Sequence, residues 1–186
     1  MLEMVVRKSE PRFVSWTLVA VAVASALLYP QVRALGESSG CNLDPDDRDP
    51  SVKILRCGED LTIRIAAETD YRLSEQKGQA LPKAAQLKSG ALMVEFKPGA
   101  HQRRFQILTP HAIAAVRGTT WAVEVTSEQS STLAVSGSVD VTRANGSRRV
   151  TLQTGEGADV TAGTGPITVK RWGEKRVQAL LARFAQ

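Results

Sequence analysis

Ala115-Val116-Arg117-Gly118-Thr119-Thr120-Trp121-Ala122-Val123-Glu124-Val125 is the stretch on which the reading of this chain turns. An apolar run, residues 113–116, leads into it. After Arg-Gly-Thr the residues alternate. Trp121, Val123 and Val125 point one way, and Thr120, Ala122 and Glu124 the other. A period of two is that of a half-buried strand. A glycine between two strand-like runs marks a bend or a close approach of backbone. Nothing in the stretch nominates a reaction centre.

Working outward, the same kind of segment recurs. Upstream, residues 52–55, 61–65, 70–73, 91–96 and 103–108 read as strands, separated by turn formers such as Lys97-Pro98-Gly99 and a polar loop at 76–81. Downstream, Leu133-Ala134-Val135 and Val139-Asp140-Val141 flank Ser136-Gly137-Ser138. Asn145-Gly146 suits the positive φ of a two-residue hairpin loop and joins 139–143 to 148–152. Asn145-Gly146-Ser147 also matches a glycosylation acceptor, but the turn already accounts for these residues. Residues 158–161 and 167–170 complete the series. Short strands with glycine turns predict an all-β, mostly antiparallel domain: a short β-solenoid or a two-layer β-sandwich.

The tail changes period. Val177, Leu180, Leu181 and Phe184 form one apolar stripe on a short helix, with Lys175, Arg176 and Arg183 off it. Such a helix caps a sheet edge, or, being basic, lies on a membrane surface or a partner.

The other end reads as a leader. Residues 13–29 carry no charge, follow Arg7, Lys8 and Arg12, and precede Val32-Arg33-Ala34. That is a secretory signal cleaved after Ala34, or an anchor that stays uncleaved in the inner membrane. Either way the remainder is exported, to the periplasm or beyond. The expected organisation is 1–34 signal peptide or anchor, 35–50 linker or entry loop, 51–171 β domain and 172–186 helix.

Net charge is +5, of which about +3 remains outside the leader. That is too little to argue for nucleic acid. Cys41 and Cys57 are the only cysteines, and in an exported chain such a pair predicts a disulfide. Asp44, Asp46, Asp47 and Asp49 crowd the entry loop, but lack the glycine and distal glutamate of a helix-loop-helix calcium site. A solvated acidic loop is expected there.

His101 and His111 have no ligand-spaced neighbours. No Gly-x-Ser-x-Gly elbow, phosphate loop or dinucleotide fingerprint occurs. Hence no catalytic residue, metal ligand or cofactor is expected, and the chain reads as a non-enzyme. Arg103 and Arg104 flank an edge strand, where charge opposes aggregation. Arg117, inside an apolar run, calls for a carboxylate or loop carbonyls as a structural latch.

The order Phe105-x-Ile107-x-Thr109-Pro110, then Val116-Arg117-Gly118-Thr119-x-Trp121-x-Val123, then Gly137-x-Val139-x-Val141 and Val150-x-Leu152-x-x-Gly155 resembles the FecR-like family. The resemblance runs over about residues 54–160, with Trp121 where the family usually has Phe. It implies an exported all-β domain with a repeated strand–glycine–strand pattern, in which Arg117, Gly118, Thr119, Trp121 and Gly137 are the signature, structural or contact-making. It also implies a binding or regulatory role at the envelope, with an envelope protein or a cell-wall glycan as partner. The best-known members relay a signal from an outer-membrane siderophore transporter to a sigma factor. Here residues 1–12 are short for a helical sigma-binding segment, so a sensing module without that output is expected. Two alternatives stand beside it: a membrane-anchored component of a sigma-factor or iron-uptake relay, and a carbohydrate-active enzyme on a β scaffold. Contact with a membrane is expected only through an uncleaved N-terminal segment.

Overall fold

The computed structural model describes residues 40–74, 81–97, 104–116 and 118–185. The expected signal or anchor segment 1–34, most of the polar loop at 76–81, and His101, Arg103 and Arg117 lie outside them. Along the chain the elements are β1 Cys41–Pro45, β2 Lys53–Cys57, β3 Leu61–Ile65, β4 Asp70–Ser74, β5 Ala84–Phe96, β6 Phe105–Leu108 and β7 Ala112–Val116. Then come β8 Thr119–Val125, β9 Gln129–Ser136, β10 Ser138–Arg143, β11 Arg149–Gln153, β12 Glu156–Thr161, β13 Val169–Arg171 and helix α1 Glu174–Ala182.

All thirteen strands belong to one continuous sheet that folds back on itself. The first layer is ordered β1-β2-β3-β5-β8-β9-β12-β13, and every pairing in it is antiparallel. The second is ordered β4-β5-β6-β7-β10-β11, with β5 and β6 parallel. Both contain β5. Its first half pairs with β4 and β6, its second half with β3 and β8. The layers enclose one core, filled by alternate residues such as Ile63, Val94, Trp121 and Val123 from the first and Leu87, Ile107, Val139 and Leu152 from the second. β-Branched and aromatic side chains suit this pleated packing. Of the two expected architectures, the two-layer one is found, closed nearly into a barrel.

The bend in β5 lies at Gly90, with φ of 89°. A Cβ there would sit 2.6 Å from the Thr69 Cα. The Ala91 N–H donates to Thr69 Oγ1 at 3.1 Å beside it. Thus only glycine fits, both for its backbone angle and for the approach of Thr69.

Beside the earlier start of β5, at Ala84 rather than residue 91, three elements differ from the sequence expectation. The entry segment is not all irregular, since Cys41–Pro45 is a strand. Only Cys41 of β1 is buried, so its side chains carry no alternation that a sequence could reveal. What holds β1 is its ladder to β2 and the Cys41–Cys57 disulfide, which links directly paired residues. The Asn-Gly hairpin loop has four residues rather than two, closed by the Arg143 N–H donating to the Arg148 carbonyl at 2.9 Å. Asn145 Oδ1 accepts from the Ser147 amide and hydroxyl at 3.0 and 2.7 Å, a local fold that favours the longer loop.

The third is α1. It covers the outer face of the first layer rather than an edge. Leu180 and Phe184, with Trp172 just before the helix, pack on Ala66, Ala91, Ala122 and Leu133. Small residues on the sheet let the helix approach closely. Gly157 carries this furthest: a Cβ there would fall 2.3 Å from the Trp172 ring. Two basic residues of this segment, Arg176 and Arg183, are engaged within the chain. Arg176 grips Asp159 with two hydrogen bonds, at 2.6 and 3.0 Å, and lies 3.5 Å over the Trp172 ring. Arg183 pairs with Glu124. Ala122 is therefore buried beneath α1, and β8 is covered on both faces rather than half-buried.

Candidate functional site

Three of the signature residues, Gly118, Thr119 and Gly137, gather at one seam between the layers. Three times the chain crosses there, each time through a glycine in the left-handed region. It passes from β7 to β8 at Gly118, from β9 to β10 at Gly137 and from β11 to β12 at Gly155, with φ of 62°, 76° and 80°. Because β7, β10 and β11 are neighbours in one layer and β8, β9 and β12 in the other, the corners stack. Thr119 Oγ1 donates to the Ser138 carbonyl at 3.1 Å. The Thr120 N–H donates to Ser136 Oγ at 3.3 Å. The Gly155 N–H donates to the Ala134 carbonyl at 2.8 Å, and Thr154 Oγ1 to the Gly137 carbonyl at 3.3 Å. A Cβ on Gly137 would come within 3.3 Å of the Gly118 carbonyl. The seam is a stack of backbone groups bonded to one another and to the hydroxyls of Thr119, Ser136 and Thr154. Gly118, Thr119 and Gly137 meet there as parts of the scaffold.

Trp121 belongs to the core. It is 0% exposed, and its ring lies 6.2 Å from that of Phe105, which lies 6.4 Å from Phe96. Its indole N–H has no partner among the described residues, so its contribution is apolar packing.

Several carboxylates are held by arginines, and Asp49 by a serine. Asp46, buried in the entry segment, pairs with Arg64 and accepts from the Arg48 N–H at 2.9 Å. That backbone bond, with Arg64, keeps its carboxyl below the usual range despite the cost of burial. Asp49 accepts from the Ser51 hydroxyl and amide and is lowered in the same way. Asp44 pairs with Arg56 at 3.0 Å on the surface. The acidic entry segment is thus wired to its own strands. On β10, burial pushes Asp140 upward, but hydrogen bonds from Thr151 and Arg149 outweigh it and the carboxyl is lowered. Asp159 follows the same pattern with Arg176 and Ser131. A general acid needs a carboxyl held above its ordinary value. These four are shifted the other way and stay charged.

His111 Nδ1 lies 3.0 Å from Ser130 Oγ, a spacing that also serves nucleophilic catalysis. Ser130 is fully buried, so no substrate reaches it, and the pair ties the β6–β7 turn to β9. Arg143 is the residue that sequence reasoning missed. It is 5% exposed and donates to three carbonyls: Thr161 and Gly165 at 2.7 Å and Gly163 at 3.2 Å. Such a carbonyl latch was expected of Arg117. The alternation of Val139, Val141 and Arg143 along β10 is the signal that points Arg143 inward.

No helix among the described residues is long and apolar enough to cross a membrane. Among the described residues, no element packs on the far face of the second layer. That face includes a small cleft of about 110 Å³ formed by Arg104, Ala115, Val116, Ser138 and Asp140.

Residues 54–140 match the family model described as FecR protein. That span includes β2 from its second residue, β3 to β9, the first half of β10 and two of the three glycine corners. No curated protein matches the sequence. Among solved structures, the fold is similar to two crystal structures of candidate anti-sigma factors from Parabacteroides distasonis ATCC 8503, at 1.65 and 2.50 Å resolution. They are 18% and 16% identical, both with a TM-score of 0.52, and cover 65% and 77% of this chain. This chain spans 56% and 61% of theirs. Over residues 54–140 the chain is thus similar to the FecR family, and its fold is similar to that of the two solved structures.

Proposed function

We propose that the chain is a non-enzymatic regulatory module of the cell envelope that works by binding a protein. The observation that carries this reading is the family match over 54–140, which takes in two of the three glycine corners. The arrangement of polar groups agrees with it. Ser130, His111 and the four shifted aspartates are spent on internal bonds, and chemistry at them would disturb the scaffold. The exported location rests on the basic, apolar, small-residue order of the first 34 residues and on the Cys41–Cys57 disulfide.

A second reading is a membrane-anchored component of a sigma-factor relay. It is favoured by the naming of the two structural neighbours as candidate anti-sigma factors. Both readings are tested by deleting the gene in its own host, profiling transcripts, and restoring the full-length chain. The expected result is a discrete set of transcripts that changes on deletion and returns on restoration. Unchanged transcripts together with an altered envelope polymer would overturn the regulatory reading in favour of an enzyme. Separating soluble from membrane fractions and measuring intact mass then distinguishes the cleaved module from the anchored one.

A further inference from the structure

Across the second layer, directly paired residues form one row: Arg72, Gln86, Leu108, Ile113, Thr142 and Arg149. The row lies on the outer face, since its alternates Leu73, Leu87, Ile107, Ala114, Val141 and Val150 line or pack against the core. Its centre, Leu108 and Ile113, is apolar and half-buried, and its ends, Arg72 and Arg149, are basic and exposed. A groove of about 260 Å³ opens beside the centre, with Gln86, Lys88, Leu108, Pro110 and Ile113 in its wall. Lys83, Arg104 and Arg148 add positive charge around the same layer. Two carboxylates answer them: Asp70, 3.7 Å from Lys88, and Asp140, paired with Arg149. The excess of basic over acidic groups on this face has the sign of the chain's net +5.

The first layer shows how this fold covers an outer face. There α1 lays Leu180 and Phe184 on small apolar residues, while its Arg176 and Arg183 meet Asp159 and Glu124 at the flanks. The second layer offers the same arrangement with the charges reversed. From this complementarity we propose that its outer face docks an acidic amphipathic helix of a protein partner. The helix's apolar side lies over Leu108 and Ile113, and its carboxylates reach Arg72 at one end and Arg149 at the other. Five strand spacings of about 4.8 Å make a row of about 24 Å, the length of a helix of about 16 residues. This is helix-in-groove recognition with charge complementarity setting the register. A second copy of this face would oppose basic residues to basic ones. An anionic lipid surface would match the charge but leave the recessed centre unfilled, because Leu108 and Ile113 do not protrude. The inference rests on the reading of the chain as a protein-binding module and names its partner's chemistry.

The test is site-specific photocrosslinking with the full chain in its own host. A photoreactive residue replaces Ile113, with Thr142 as a second position should Ile113 not tolerate it, and exposed Asp47 as control. The expected result is a crosslink from the second layer, and not from the control, to a protein segment with apolar residues at helical spacing interleaved with Asp and Glu. Arg72→Glu, an exposed change checked by an unaltered melting temperature, should lower its yield about tenfold. Crosslinks to lipid, to a second copy or to a segment without carboxylates would overturn the proposal, as would equal yield at the control or none at all. The two readings fail separately. A crosslinked acidic helix without transcript changes would leave the docking and remove the regulatory role, and transcript changes without the crosslink would do the reverse.

Discussion

Trp121 sits where the two layers are pressed together, between the glycine corner and the aromatic pair Phe96 and Phe105. With its ring wholly buried and its N–H without a partner among the described residues, what it supplies is volume and contact area. Trp121→Ala should therefore cost about 3–5 kcal/mol, the range for emptying a large aromatic from a core. Chemical denaturation of the two proteins measures it. A variant as stable as the parent would mean that the signature strand does not pack as described. At this scale much was legible in the sequence. The alternation that put Trp121, Val123 and Val125 on one side is the alternation that places them in the core. The partners of single polar residues were not legible. Nothing in the spacing of Asp46 and Arg64, or of Arg143 and the loop at 161–165, announces that they meet, because those contacts exist only once distant strands have paired.

At the scale of elements, the periodic strands and the apolar stripe of α1 were readable, and the elements without periodicity were not. β1 shows four exposed side chains in succession, and half of β5 was hidden because residues 84–90 run partly as small and polar residues. The stripe on α1 told which side is buried but not against what. The answer, the outer face of the first layer, gives the helix a pH dependence. Burial raises the Asp159 carboxyl, and the bonds from Arg176 and Ser131 more than offset this, leaving it below its ordinary value of 3.8. A lowered carboxyl stabilises the folded state above the unfolded value, and that stability is lost as pH falls through the lower folded value. Helix docking should thus be constant from neutral pH to about pH 4 and loosen only below it. Asp159→Asn should weaken docking at pH 7 by up to ~1 kcal/mol, the partly exposed pair being screened by solvent, and should flatten the acid transition. Hydrogen exchange of the α1 amides across this range reads both effects. Unchanged exchange in the variant would show that Arg176 holds the helix by its stacking on Trp172 alone.

For the whole molecule, the closed arrangement of layers was within reach of the sequence as one of two architectures. The stacked corners explain why both seemed open: repeated strand–glycine–strand units are what a solenoid also uses. The difference is that β5 serves both layers, a fact of topology rather than of local sequence. The disulfide acts at this scale too. It closes a loop across a sequence separation of 16 and should contribute about 3 kcal/mol in the chain-entropy picture. Cys57→Ser should accordingly lower the melting temperature of the oxidised protein by roughly 6–12 °C. Calorimetry without reductant measures this, and an unchanged transition would mean that β1 stays in place by its ladder alone.

The placement of that disulfide also decides how the fold bears load. Cys41 is the first residue of β1 and is bonded to the residue directly opposite it, Cys57 at the end of β2. Any tension entering from the chain before Gly40 passes through the sulfur atoms into β2, and Asn42 to Pro45 carry none of it. β1 cannot be peeled away one hydrogen bond at a time. The pull is delivered instead to Cys57, which is wholly buried and paired across to Leu61 of β3. A strand with almost nothing of its own in the core is in this way protected from the one direction in which it would otherwise unzip, and the domain meets a tug on its leading end as a single rigid object.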